Sequence, residues 1–139
     1  HVRSRRQRQM CIRDRYYNDS KATNNLATSF ALDSFEAPTV WIAGGLDRGQ
    51  SFDELSKNAG RVKHLVAYGE TAKRLSEFAR MQNIGVSLAE NPYHAVLEAK
   101  EIAEDGEIVL FSPACASWDQ YKDYEARGDH YKEGFHKIY

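Results

Sequence analysis

Apolar residues in this chain gather into four short, nearly unbroken runs: residues 39–43 (TVWIA), 62–68 (VKHLVAY), 84–88 (IGVSL) and 108–111 (IVLF). Runs of this length without strict polar alternation predict strands covered on both faces, as in a parallel sheet. Between them, residues 25–34, 52–58, 70–82 and 92–104 carry apolar residues at helical spacing. One such stripe, Leu75, Phe78, Ala79 and Met81, is expected to be plain core. Asn91 followed by Pro92 predicts an N-cap with proline at the first helical position. Gly85 and Gly106 fall near helix ends, where a left-handed residue is often needed. Asp119 is expected to cap a short segment running to Ala126.

Strands alternating with longer amphipathic segments predict an α/β domain: a single Rossmann-like, doubly wound, mainly parallel sheet with helices on both faces. Residues 16–139 show no internal repeat, low-complexity stretch or linker, so they are expected to form one domain. Right-handed crossovers would place the loops after the strands' carboxyl ends on one rim, where ligands of such sheets bind. That singles out the loops after Ala43 and Phe111.

Composition narrows the class. With 139 residues, 42% apolar and 28% charged, the chain fits one globular domain rather than a disordered or fibrous protein. No run approaches the roughly 18 apolar residues of a membrane helix, and no signal-peptide core follows the basic head, so a cytoplasmic protein is expected. The two cysteines, Cys11 and Cys115, make neither a disulfide framework nor a four-ligand zinc site and fit a reducing compartment. Charge is uneven: residues 1–15 hold six arginines against Asp14, a net +5, leaving −6 for the other 124 residues. The string RQMCIRDRY resembles a vector or adapter junction more than evolved protein, so residues 1–15 are expected to be foreign or disordered. A nucleic-acid-binding arm is the competing reading of that head.

Three segments could carry chemistry. GGLDRGQSF (44–52) leaves a strand and enters a helix; its glycines would let backbone approach a ligand, but Gln50 stands where a phosphate loop needs lysine. Arg48 within it could grip a carboxylate or phosphate through paired hydrogen bonds, or be a solvated loop arginine. SPACASWDQY (112–121) follows the last strand; Ser112 and Ser117 could face a small anion or serve as turn and cap residues. Cys115 has no neighbouring base to activate it and is expected to pack. NDSKATN (18–24) is either a capped, solvated helix start or a site where Asp19 accepts from a ribose hydroxyl or holds an outer-sphere water of a metal and Lys21 neutralises phosphate. His64, His94, His130 and His136 show no metal spacing, so no metal site is expected.

NDSKATN, AGGLDRGQSFDEL (43–55) and LFSPACASWDQYKDYEARGDHY (110–131), in this order and on this strand pattern, closely resemble the signatures of the C-terminal domain of the Mur ligases. The resemblance spans residues 16–139. DSKATN points to the D-glutamate-adding branch, since equivalent strings of the sister ligases end in asparagine-proline. The resemblance implies ATP-dependent amide formation in peptidoglycan synthesis: ATP phosphorylates the terminal carboxylate of UDP-N-acetylmuramoyl-L-alanine, and the D-glutamate amine displaces phosphate. It places Thr23, Arg48, Ser117 and Tyr124 at D-glutamate and Asp19 and Lys21 at the ribose and phosphates of ATP. Arg48 stands where some members have lysine, and Tyr124 where others have phenylalanine. The family's phosphate loop, Mg2+-binding carboxylates and uridine-nucleotide site belong to two preceding domains. The chain is therefore expected to be a truncated fragment, with no catalytic residue of its own and no activity alone. A stand-alone α/β module that binds a small carboxylate or nucleotide without catalysis is the alternative.

Overall fold

The computed structural model describes residues 15–138. The expectation of a foreign head thus lies outside the described residues, as does Cys11, except at Arg15. There the backbone carbonyl accepts from Val109 N–H at 2.8 Å and the guanidinium donates to the Gly106 carbonyl at 2.8 Å.

Five described strands, β1 (Tyr16–Asn18), β2 (Thr39–Gly44), β3 (Val62–Tyr68), β4 (Gly85–Leu88) and β5 (Ile108–Ala114), form one sheet in the order β1-β5-β2-β3-β4. Every neighbouring pair is parallel. The helices are α1 (Asn25–Asp33), α2 (Ala72–Met81), α3 (Pro92–Ile102) and α4 (Tyr124–Ile138), with a 3-10 helix at Asp53–Asn58. Alternate residues of the central strands point to opposite faces. Trp41, Ala43, Leu65, Ala67 and Leu110 meet Leu32, Leu55, Leu75 and Phe78 of α1, the 3-10 helix and α2. Val40, Ile42, Val66, Tyr68, Val109 and Phe111 meet Ala95, Val96, Ala99 and Tyr131 of α3 and α4. Burial on both sides explains the unbroken apolar runs of β2 and β5, whose residues are all buried.

The chain steps outward from β2 to β4 through the first helical layer, then returns from β4 to β5 through the second. A crossover of constant hand requires that change of face when direction reverses. The loop after β2 thus leads to the first helical layer and the loop after β5 to the second, so the carboxyl ends of β2 and β5 form a topological switch point.

Several expectations need correction. α4 replaces the short segment ending at Ala126, and its cap is Asp123, whose Oδ1 accepts from Ala126 N–H at 2.8 Å. Asp119 instead accepts from Glu70 N–H at 3.3 Å through Oδ2. Residues 52–58 tighten into the 3-10 helix rather than an α-helix. Gly85 is not left-handed; Asn83, at φ 59°, reverses the chain after α2, while a Cβ at Gly85 would meet His64 Nδ1 at 2.7 Å. Met81 is 75% exposed because six residues after Leu75 lie about 240° further round the helix, away from the core stripe. The Asn91–Pro92 start is found as expected, with Asn91 Oδ1 accepting from His94 N–H at 2.9 Å, and Gly106 has φ +88°.

One side chain ties the sheet's carboxyl end together. Arg127, on the buried face of α4, has no exposed surface. Its Nε donates to Ser20 Oγ at 3.0 Å, Nη2 to the Ser20 carbonyl at 2.5 Å and Nη1 to the Cys115 carbonyl at 2.7 Å. Ser20 Oγ in turn donates to the Tyr124 carbonyl at 2.7 Å. The segment after β1 and the loop after β5 are thereby fixed to one helix. Beside them the chain leaves β2 through Gly44 and Gly45, at φ 154° and 142°. A Cβ on Gly45 would occupy the place of the Ala116 carbonyl, which accepts from Leu46 N–H at 2.9 Å.

Replacing Arg127 with methionine keeps an unbranched stem but strands two buried carbonyls, so Arg127→Met should lower the unfolding free energy by about 2–5 kcal/mol. Urea denaturation followed by circular dichroism measures the loss. In the same assay Gly45→Ala should cost about 2 kcal/mol or more, from backbone strain and collision. Gly60→Ala, at a position with open space around it, should stay within about 0.5 kcal/mol of the parent.

Candidate functional site

The loops that follow β1, β2 and β5 are the three segments singled out by sequence, and they are bonded to one another. Asp19 N–H donates to the Phe111 carbonyl at 2.7 Å, carrying the first loop off β1 alongside β5. Ser112 is the junction beneath it. Its hydroxyl lies 3.1 Å from Asp19 Oδ2 and 3.0 Å from Thr28 Oγ1, while its carbonyl accepts from Trp41 Nε1 at 2.8 Å. Burial pushes the Asp19 carboxyl above its ordinary value, against the Ser112 hydrogen bond and the Lys21 charge, which both favour the ionised form. Asn24 caps α1, its Oδ1 accepting from Ala27 N–H at 2.9 Å.

Lys21 is exposed between two open grooves. A groove of about 390 Å³ runs from Lys21 past Ser20 to Tyr124 and Lys132 on α4. Another, of about 580 Å³, places Asp19 and Lys21 beside Tyr17, Phe30 and Phe35.

The glycine loop after β2 is held from outside. Asp47 Oδ1 accepts from Arg74 Nη1 at 2.7 Å and from Gly49 N–H at 2.8 Å, and Asp47 N–H donates to Glu70 Oε1 at 3.0 Å. Arg74 also donates to the Gln50 carbonyl. Gln50 takes the Arg48 N–H on Oε1 at 3.1 Å and points Nε2 at Cys115 Sγ, 3.6 Å away. Asn25 Nδ2 donates to the Ser51 carbonyl at 2.6 Å, joining this loop to α1. Gly44 and Gly45 are spent on close contact with protein backbone rather than on approach to a ligand, whereas Gly49 faces open space.

Within this braced loop the Arg48 side chain is exposed and has no ion-pair partner among the described residues. Its guanidinium lies 4.9 Å from the centre of the Trp118 ring. Ser117, beside Trp118, is buried, and its carbonyl accepts from Tyr121 N–H at 2.9 Å and Gln120 N–H at 3.2 Å. Cys115 is fully buried, and burial pushes its thiol up to about 11, an environment for packing rather than nucleophilic attack.

Arg48, Ser117 and Tyr124 are therefore placed on one rim, with Tyr124 45% exposed on the first turn of α4 and Thr23 half-buried before the α1 cap. Among the described residues no hydrogen bond joins any two of these four side chains. Sequence reasoning missed Arg74, Arg127 and Trp118. Arg127 had a usable signal, since Arg127, Tyr131 and Gly134 recur at helical spacing; the contacts of Arg74 and Trp118 cross between distant segments and had none. No group of three or more His, Cys, Asp or Glu residues is placed to hold a metal ion among the described residues.

Comparison with known proteins bears on the same loops. Residues 5–115 match the family described as Mur ligase, glutamate ligase domain. The chain is 56% identical over 117 residues to the UDP-N-acetylmuramoylalanine–D-glutamate ligase of Macrococcus caseolyticus, which covers 84% of this chain and 26% of that protein. It is 48% identical over 122 residues to the proteins of the same name from Staphylococcus saprophyticus and Staphylococcus aureus, covering 88% of this chain and 27% of each. The chain thus spans about a quarter of the length of these curated relatives. Its parallel α/β sheet and its match over most of its length lead to one conclusion: the chain belongs to the Mur ligase glutamate ligase domain family.

Proposed function

We propose that this chain is the amino-acid-delivering C-terminal domain of an ATP-dependent ligase that joins D-glutamate to UDP-N-acetylmuramoyl-L-alanine, the MurD step of peptidoglycan synthesis. The observation that carries the proposal is Arg48: a guanidinium without an ion-pair partner among the described residues, on a loop whose neighbours are all anchored, at the rim of a topological switch point. Such a group is suited to a carboxylate, which it can take through two parallel N–H donors. The Thr23 and Ser117 hydroxyls would orient the amino acid, and Tyr124 would wall its aliphatic part. Residues 16–139 are the proposed working unit, to which Arg15 is tied through Val109 and Gly106.

Asp19 and Lys21 fit a partial contact with ATP. A part-buried carboxylate can accept from a ribose hydroxyl, and the exposed ammonium next to it can neutralise phosphate. ATP, when bound, supplies the phosphoryl group that activates the acceptor carboxylate. Mg2+ does not fit the described residues, which offer no cluster of ligands for it. The domain's own contribution is positioning: holding an amine at one reacting centre replaces a bimolecular encounter. No described helix is long and apolar enough to cross a membrane, and a cytoplasmic ligase without nucleic-acid or membrane partners is the proposed setting.

The purified 139-residue chain should show no ATP-dependent ligation, measured as phosphate release with UDP-N-acetylmuramoyl-L-alanine and D-glutamate; turnover by the chain alone would overturn its assignment as a delivering domain. A chimera joining residues 16–139 to the two upstream domains of a relative should turn over with D-glutamate and not with L-glutamate or other amino acids. Arg48→Ala in that chimera should raise KM for D-glutamate about tenfold or more. A folded chimera that uses no amino acid, or prefers another, would instead favour a binding module without catalysis.

A further inference from the structure

The contact between Arg48 and Trp118 has no structural purpose that the fold requires. Trp118 is a large apolar side chain left 64% exposed at the tip of the loop after β5. It contributes to neither of the two core clusters. Arg48 is equally dispensable to the scaffold. The loop around it is fixed by Arg74, Asp47, Glu70 and Asn25, and its own bond to Gln50 uses backbone N–H rather than side chain. Two exposed side chains from segments seventy residues apart in sequence nevertheless meet at 4.9 Å.

Resting on the reading of Arg48 as the carboxylate partner of D-glutamate, we propose that Trp118 is the positioning residue of that site, holding the Arg48 guanidinium against its indole so that the N–H donors are presented to an incoming carboxylate. Arginine has many rotamers, and each ordered one costs entropy at binding. A guanidinium over an aromatic face gains attraction from the ring's quadrupole while its donors, which lie in its plane, stay open. The stack therefore removes part of the ordering cost before the ligand arrives. Because it grips Arg48 from the β5 loop, it also couples the arginine to Ser117, the adjacent residue in that loop.

The fold supplies its own control, since Trp41 is completely buried and Trp118 is exposed. In the 139-residue chain, acrylamide and iodide quenching of the accessible tryptophan should change on Arg48→Ala and not on Arg61→Ala; an unchanged Trp118 signal in Arg48→Ala would overturn the stack. In the chimera, Trp118→Ala should raise KM for D-glutamate on the order of fivefold with kcat held within about twofold, and Trp118→Phe should restore most of it. Loss of kcat and KM together in both Trp118 variants, or a Trp118→Ala enzyme with unchanged KM while Arg48→Ala is impaired, would overturn the positioning role and leave the D-glutamate assignment standing. If Arg48→Ala is itself without effect, the D-glutamate assignment fails, and the proposal built on it fails as well.

Discussion

A buried guanidinium organises this domain. Arg127 lies with no ion-pair partner among the described residues, and its charge is met by two carbonyls, a hydroxyl and the face of Phe111 at 6.0 Å. Charge-assisted hydrogen bonds to backbone oxygens are stronger than neutral ones, and a buried cation left without them would be costly. Residues after β1 and β5 are consequently constrained to the positions that satisfy Arg127. Those residues include Ser20, between Asp19 and Lys21, and Cys115, two residues before Ser117. The same interaction that makes α4 part of the fold therefore sets the spacing of two candidate binding segments.

A second arginine does the equivalent work for the third segment at lower burial. Arg74 reaches from α2 to Asp47 and to the Gln50 carbonyl, on either side of Arg48. Loops carry function when a rigid scaffold presents them, and here the division of labour is visible by residue. Arg127 and Arg74 spend their donors on the protein, whereas Arg48 spends none of its side-chain donors on the described residues. An exposed ion pair such as Arg74–Asp47 contributes little to global stability. Its value lies in fixing local conformation. The Asp119 carboxyl, raised by burial and accepting from Glu70 N–H, closes the circuit between the turn after β3 and the loop after β5.

How far the sequence reveals this depends on the range of the interaction. The central strands were legible because burial on both faces leaves no polar alternation, and the α3 start because Asn91 and Pro92 act locally. β1 was not, since it is three residues long at a sheet edge and leaves Tyr17 and Asn18 exposed. α4 is harder to see in its composition, since it carries Gly128 and Gly134, residues unfavourable inside a helix. They are present because a Cβ at Gly134 would meet Val96 Cγ1 at 2.5 Å and one at Gly128 would meet Ser20 Cβ at 3.2 Å. Arg48 stood out within its glycine-rich string, but whether it was solvated or placed could not be read there. The answer depends on Trp118 and Arg74, which reach it only through the folded sheet. Thr23 and Tyr124 came from family resemblance alone, Ser117 was one of two serines that stood out in its string, and nothing in their spacing would have grouped the three.

The exposure of the rim has a consequence for any ligand held there. Trp118 and Tyr124 are 64% and 45% exposed, Arg48 is exposed, and the grooves beside Lys21 are open. A carboxylate paired with a single solvent-facing guanidinium gains little, because water screens the charge and competes for the donors. The same pair becomes much stronger once a second surface excludes that water. On the proposed reading, therefore, this domain need not bind its amino acid tightly by itself. It needs to hold Arg48 in a defined place until the opposing surface arrives, and that is a task of rigidity rather than affinity. Arg127, Arg74 and the stack on Trp118 are three ways in which this sequence supplies that rigidity, one from the core, one from the flank and one from the rim itself.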